Sequence, residues 1–263
     1  MNKIPLSVFI ITKNEADRIA TTIKSVINIA EEIIVIDSGS TDNTCKISQE
    51  LGAKVFFNQW NGFGEQKVFG EQKCLNPWIL NIDADEEVSQ ELAEEIRQII
   101  INHQKQDLIG YKIKIVNKFR FEEKPNKFAY YYNQLRLYQS KYAGFSTSAV
   151  HDSVLLKDKT SIDKIGQCQN IIYHQSFRSF KHWIEKINFY SELQAMDNWK
   201  KGKNVSTIKI ITSPILAFFK ALIIRRYICY GSQGIIYSLL FAFSRFAKMI
   251  KIRELFLAQK DKK

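Results

Sequence analysis

The residues with the clearest chemical potential end the stretch Trp78-Ile-Leu-Asn-Ile-Asp-Ala-Asp-Glu-Glu87. Apolar Trp78, Ile79, Leu80 and Ile82 lead into Asp83, Asp85, Glu86 and Glu87. A short apolar run rich in β-formers predicts a buried strand. Side chains alternate along a strand, so Asp83 and Asp85 are expected on one side at its carboxyl end. Two carboxylates there are costly unless something positive lies between them. A hard divalent cation holding a diphosphate meets that need. A strand followed by the acidic first turn of a helix would carry the same acids for the dipole alone.

Elements that position these acids are legible on either side. Leu6–Ile11, Ile33–Asp37 and Ala53–Phe57 read as strands. Helical spacing appears at Ile19, Ile23, Val26, Ile27 and Ala30, then at Ile47 and Leu51. Thr41 or Asp42 is suited to cap the second helix and Gly52 to stop it. Residues 65–75 predict a third helix, and Ser89 caps a fourth carrying Leu92, Ile96, Ile99 and Ile100. Strand–helix alternation with short connections predicts an α/β fold, a doubly wound, mostly parallel sheet with helices on both faces. Ligands bind such sheets at the carboxyl ends of the strands. Thr12–Glu15, Asp37–Asp42 and Asp83–Glu87 all fall at such ends.

Past residue 108 the pattern changes. Ile109–Val116 alternates as a half-exposed strand, and Leu135–Tyr138, Ala149–Leu156 and Ile171–His174 read as further strands. Phe180, Trp183, Ile184, Ile187 and Tyr190 place a helix over Ser179–Lys201. We expect one domain over 1–205, with halves 1–108 and 109–205, and a separate helical region over 206–263. Cys45, Cys74, Cys168 and Cys229 are widely spaced, which fits neither a zinc site nor a disulfide framework. The N-terminal apolar run is too short for a secretory signal.

Formal net charge is +11, unevenly spread. Residues 1–110 carry −7 and residues 111–263 carry +18. The basic half calls for an anionic partner. From Val205 to Lys263, 11 bases and 2 acids punctuate runs of Ile, Leu and Phe. Tyr227–Ser244 is free of charge over 18 residues, near the lower limit for a bilayer span. Gly231-Ser-Gln-Gly234 splits it, so amphipathic helices on an anionic membrane surface are the expectation.

The sequence Ile-Ile-Thr-Lys-Asn-Glu15, then Val-Ile-Asp-Ser-Gly-Ser-Thr-Asp42, Gly64-x-Gln-Lys67 and Leu-Asn-Ile-Asp-Ala-Asp-Glu86, resembles family 2 glycosyltransferases. These are inverting sugar transferases with the GT-A fold. The resemblance is strong over residues 4–105 and weaker through Val150-His-Asp152. Within the family the chain looks most like bacterial lipopolysaccharide core transferases that add glucose to the inner core. It implies a UDP-sugar donor, Mg²⁺ or Mn²⁺, and a lipid-linked or lipopolysaccharide-core acceptor. Thr12, Asn14, Glu15, Asp37, Ser40, Asp42, Lys67, Asp83 and Ala84 would then bind the nucleotide sugar. Asp85, Asp83 and His174 would hold the metal. Relatives of this subgroup carry Val-His-Glu where this chain has Val150-His151-Asp152, so Asp152 is nominated as the base. Aspartate is one methylene shorter. Arg136, His151 and Arg178 are assigned to the acceptor. The expected location is cytoplasmic, peripheral on the inner face of the membrane.

Two other classes compete. A nucleotidyltransferase would hold a triphosphate on a Gly-rich basic turn after the first strand, and Thr12-Lys-Asn-Glu15 has no glycine. A non-catalytic binder of anionic lipid or nucleic acid would rest on the basic half. Its bases sit among bulky apolar residues rather than in an open groove, and no nucleic-acid partner is expected.

Overall fold

The structure is a computed structural model; it describes residues 3–103, 107–119, 122, 124–146 and 153–260. The chain forms two compact units, one of Met1–Val116 with Tyr131–His174, the other of Asn117–Tyr130 with Gln175–Lys263. The helix after His174 thus groups with the C-terminal helices.

The first unit is built on an eight-stranded sheet. Strands β1 (Ile4–Thr12), β2 (Ala30–Asp37), β3 (Lys54–Phe57) and β4 (Trp78–Asp83) pair in parallel, in the order β3-β2-β1-β4. Helices α1 (Ile19–Val26), α2 (Thr44–Glu50) and α3 (Phe63–Gln72) connect them. Residues alternate along β1: Leu6, Val8 and Ile10 join one core, Phe9 and Ile11 another. The first core receives α1, the edge of α2, and α4 (Gln90–Ile101), whose Leu92, Ile96 and Ile100 are buried. The second receives Phe69 of α3 and a hairpin of β8 (Ala143–Phe145) and β9 (Val154–Leu156). Both faces are covered, which is why these strands are nearly continuous apolar runs.

The sheet continues through β7 (Tyr131–Gln139), β6 (Gly110–Asn117), β10 (Ile165–His174) and β5 (Glu86–Val88). β7 inserts antiparallel beside β4, and β5 pairs antiparallel with β10, His174 facing Glu86. The strand expected over 78–87 is therefore two strands separated by a turn at Ala84-Asp85. Asp83 ends a strand and Asp85 lies in that turn, so they are not alternating partners on one strand. Ala30, read above as helical, opens β2 instead. Asn43, rather than Thr41 or Asp42, occupies the cap position of α2, although Asp42 Oδ1 accepts the Thr44 N–H at 3.0 Å. Ser89 caps α4 as expected, accepting from the Leu92 N–H.

The second unit consists of α5 (Phe180–Lys200), α6 (Thr207–Phe219), a π-helical turn (Lys220–Ile224), a 3₁₀ turn (Tyr227–Tyr230) and α7 (Gly231–Lys260). α7 packs against both α5 and α6. Its core gathers Phe119, Trp183, Ile187, Tyr227 and Tyr237, with Phe119 stacked on Tyr237 at 3.9 Å between ring centroids. The apolar run 227–244 is broken at Gly231, which opens α7 with φ +57°. Among the described residues, the helix long and apolar enough to cross a membrane, by length and composition, is instead Thr207–Ile224, of which 11% is buried.

Candidate active site

The parallel pairing brings three polar loops to one edge of the sheet. Thr12 pairs with Asp37, and Ile11 with Asp83, at the carboxyl ends of β1, β2 and β4. The first two loops are stitched together. The Asn14 N–H donates to Ser40 Oγ at 2.8 Å, and Asn14 Oδ1 accepts from the Thr41 N–H at 2.8 Å. Asn14 adopts φ +57°, a left-handed conformation that asparagine tolerates better than most residues. Asp42 Oδ2 accepts from the Ala16 N–H at 3.2 Å, and the Glu15 N–H donates to Thr44 Oγ1 at 2.8 Å. Asn14, Ser40 and Asp42 thus shape the rim through their own side chains.

Asp37 is buried, and its Oδ2 accepts from the Gly39 and Ser40 N–H groups at 2.8 and 2.9 Å. Ser40 Oγ donates to its other oxygen. Gly39 turns the chain with φ +94°, where a side chain would be strained. Beside Asp37, the buried Thr12 hydroxyl has no hydrogen-bond partner among the described residues. An orphaned buried hydroxyl at a strand end is costly unless a ligand meets it.

The acidic turn is wired to bases from four directions. Lys67, on α3, is 1% exposed and its Nζ lies 3.3 Å from Asp83 Oδ1. A solvated helix lysine is thereby excluded; this one is aimed into the site. Arg136, on β7, is also buried: it donates to Asn81 Oδ1 at 2.7 Å and meets Asp83 Oδ2 at 3.3 Å and Glu86 Oε1 at 3.0 Å. The structure gives Arg136 an internal place here, not the acceptor-facing one expected. Glu86 closes the turn by accepting the Asp83 N–H at 2.9 Å. Asp85 Oδ2 lies 3.3 Å from His174 Nε2 and 3.6 Å from Arg18 Nη1. Arg18 also pairs with Glu15, donating from Nε at 2.8 Å. The Ala84 carbonyl accepts from Thr22 Oγ1 at 2.9 Å, anchoring the turn to α1.

Burial works against charge in all these acids, and the partners decide the outcome. For Asp83, burial is outweighed by Lys67, Arg136 and His174, and the carboxyl is held well below its usual range. For Asp85, burial is outweighed by the hydrogen bond and charge of His174 and the charge of Arg18, so it too is lowered. For Glu86 burial wins despite Arg136, and the carboxyl is raised. His174 is raised: burial pulls it down, but its bond to Asp85 and the surrounding acids hold the imidazolium.

Asp85 is the donor available to a metal, with Asp83 alongside; His174 would add its Nε2 only after losing its proton. Carboxylate oxygens suit Mg²⁺ or Mn²⁺. Among the described residues no three His, Cys, Asp or Glu side chains converge as a ready cage. That fits a cation held by one or two protein groups and completed by substrate phosphates and water, the usual habit of Mg²⁺.

Two partners lay outside the sequence reading. Arg18 had a signal, standing three residues after Glu15 at the start of a helix. Asn81 had one too, as a polar residue inside an apolar strand, and it is fully buried. Arg178 belongs to the second unit, where its N–H donates to His182 Nδ1 at 3.3 Å. His151 and Asp152 lie outside the described residues.

The model of the glycosyl transferase family 2 matches residues 7–166. A glycosyltransferase of Rickettsia felis is 46% identical over 260 residues, which is 97% of this chain and 92% of that one. The lipopolysaccharide core biosynthesis glycosyltransferase LpsC of Rhizobium meliloti is 27% identical over 232 residues, 83% of this chain and 80% of that one. Among solved structures, S. aureus TarS 1–349 aligns with a TM-score of 0.45 at 13% identity, covering 98% of this chain and 92% of that one.

Proposed function

This chain belongs to glycosyl transferase family 2, and from that premise we propose that it is a metal-dependent, inverting hexosyltransferase. It moves glucose from UDP-glucose to a lipid-anchored saccharide such as the lipopolysaccharide inner core. The observation that carries the reading is the Asp85–His174 contact beside Asp83. Glu15, Asp83, Asp85 and Glu86 are met by Arg18, Lys67, Arg136 and His174, so the cluster is close to neutral with His174 protonated. A diphosphate arriving there needs positive charge from elsewhere.

Each residue then has a task. Asp37, with the Thr12 hydroxyl beside it, receives the uracil and ribose. Asp85 would hold Mg²⁺ or Mn²⁺, and His174 would join it only on giving up its proton, since a coordinating imidazole is neutral. Bound there, the cation would supply the charge that stabilises the departing UDP diphosphate. Lys67 and Arg136 keep Asp83 ionised and fixed at the strand end. Asp152 takes the proton from the acceptor hydroxyl, which attacks the face opposite the leaving UDP and inverts the anomeric carbon. General-base help of this kind is worth about 10²–10⁴ in rate. The assignment of Asp152 rests on its place in Val150-His151-Asp152.

The acceptor class draws support from the likeness to LpsC. It also draws support from α6, which exposes Ile208, Ile211, Ile215, Leu216 and Phe219, with Lys209, Lys220, Arg225 and Arg226 in and after it. Such a face lies in an anionic membrane surface, apolar side down. On this reading the enzyme works peripherally on the cytoplasmic leaflet, where a nucleotide sugar is at hand.

The deciding experiment incubates the purified chain with UDP-glucose and lipopolysaccharide inner core, with Mn²⁺ and with a chelator. UDP and glucosylated core should appear only with metal. Asp85→Asn should cut turnover at least about 100-fold and weaken Mn²⁺ binding measured by electron paramagnetic resonance. Unchanged turnover in Asp85→Asn would remove the metal assignment. Release of pyrophosphate from a nucleoside triphosphate would replace the transferase reading.

A further inference from the structure

The second unit contains an open cleft of about 290 Å³ between α5 and α7, at the small end of ligand sites. Its α5 wall is one stripe: Trp183, Lys186, Ile187, Tyr190, Ser191 and Gln194, spaced as one helical face. α7 contributes Ser244 and Arg245, and Ser176 and Phe177 close it. The charges on this wall are selected. Helix α5 carries three acids, Glu185, Glu192 and Asp197, and all three fall off the stripe. The charged groups of the lining are Lys186 and Arg245, both basic and both half-buried. Neither forms an ion pair with a carboxylate among the described residues. Lys186 Nζ donates to the Ser176 carbonyl at 3.4 Å and lies 5.8 Å from the centre of the Phe177 ring. Arg245 lies 5.5 Å from the Phe241 ring centre. Lys248, one turn beyond Arg245, is held below the usual ammonium range by burial, then by the charges of Arg245 and Lys209. The region is thus a concentration of positive charge in which, among the described residues, no carboxylate pairs with Lys186 or Arg245.

Aromatic surface accompanies the charge. Phe177 stacks on Trp183 at 3.9 Å and 9°, and Tyr190 is 37% exposed at the cleft. Ring faces take the apolar C–H face of a sugar, whereas Gln194 and the serine hydroxyls suit its hydroxyl groups. A bare anion would have no use for the rings, and an acyl chain none for Gln194 and the cations.

We propose that the α5–α7 cleft is a binding site for a sugar bearing a phosphate group, with Lys186 and Arg245 on the phosphate and Tyr190 under the ring. This rests on the transferase reading only in giving the site a purpose: it would hold a phosphorylated sugar of the acceptor. Binding itself is independent of donor and metal.

The test titrates the full chain with glucose 6-phosphate, glucose, glucuronate and inorganic phosphate, without UDP-glucose or divalent metal, by calorimetry. Glucose 6-phosphate should bind at least about tenfold tighter than either glucose or inorganic phosphate, a gap of roughly 1.4 kcal/mol. Its affinity should fall as salt rises. Lys186→Gln and Arg245→Gln should each reduce it several-fold, with unchanged circular dichroism. Equal affinity for glucose and glucose 6-phosphate would overturn the proposal. So would phosphate binding as tightly as the sugar phosphate, which marks a bare anion site. Tighter binding of glucuronate would replace phosphate by carboxylate as the recognised group and overturn the assignment as stated. Wild-type salt dependence and ligand ranking decide the matter even if a variant fails to fold. If sugar phosphate binds but no glucose is transferred, the cleft stands and the transferase reading falls; the converse result sinks the cleft alone.

Discussion

The ammonium of Lys67 lies 3.3 Å from Asp83 Oδ1, inside the protein, with the lysine 1% exposed. A helix on one side of the sheet thereby fixes the carboxylate that ends the central strand. The contact has consequences for both stability and catalysis. Removing one partner of a buried pair typically costs about 3–5 kcal/mol, because the other charge is left unmet. Here Asp83 keeps Arg136 at 3.3 Å, so the loss should be smaller. Lys67→Met is expected to lower unfolding stability by about 2 kcal/mol in urea, and to lower turnover more than donor binding. Wild-type stability in Lys67→Met would show that the pair carries no net weight.

Gly70 sits one turn further along the same helix. A Cβ there would stand 2.6 Å from Phe9 Cδ2 and 3.2 Å from Ile36 Cγ1, both on fully buried side chains. Alanine gains about 1 kcal/mol in helix propensity, whereas overpacking a full core costs about 1–3 kcal/mol. Gly70→Ala should therefore lose about 1 kcal/mol net and push α3, with Lys67, off the sheet. A raised melting temperature would mean the helix can retreat without strain.

Glu32 anchors the entry to β4. Its carboxylate accepts from Ser7 Oγ at 2.6 Å, from the Leu75 N–H at 2.6 Å and from Lys54 Nζ at 3.1 Å. Burial alone would raise its pKa, but these bonds outweigh it and the carboxyl is lowered from 4.5. A lowered folded pKa means stability that is present above the unfolded value and lost as pH falls through the folded one. Hydrogen bonds to a charged group are worth about 1.5–3 kcal/mol. Glu32→Gln should be less stable than wild type by roughly that amount at pH 7, and the gap should close below pH 4.5. A gap that is constant with pH would assign the effect to packing.

The exposed face of α6 offers a fourth check. Changing Ile211, Ile215 and Phe219 to serine removes three large exposed apolar side chains. Even about 1 kcal/mol each, below the full value for burial, amounts to more than 100-fold in partitioning. Flotation with phosphatidylglycerol vesicles should fall accordingly, while solubility improves. Undiminished flotation would move the membrane contact elsewhere.

Much of the first unit was legible in its residues. Local period reports local structure, so β1, α1, β2, α2, β3 and β4 could be read from apolar spacing; α3, expected over 65–75, spans Phe63–Gln72 and buries Gly64, Gln66, Lys67 and Gly70 instead of an apolar stripe. The polar loops at Thr12, Asp37 and Asp83 were placed by the rule that open sheets bind ligands at strand ends. The Ser89 cap and the Gly52 stop were legible for the same local reason.

Only the tertiary structure decided who faces whom. β7 inserts beside β4 from more than fifty residues away along the chain, and so Arg136 becomes the counter-ion of Asp83 and Glu86. β5 separates from β4 at the Asp85 turn and pairs with β10, which brings His174 to Asp85. No period in either segment encodes those pairings. A strand's own residues state how deeply it is buried, but its neighbour is chosen by the loop closures and cores of the whole sheet. The sequence by itself determined that acids stand at the strand ends; the sheet order determined which bases hold them there.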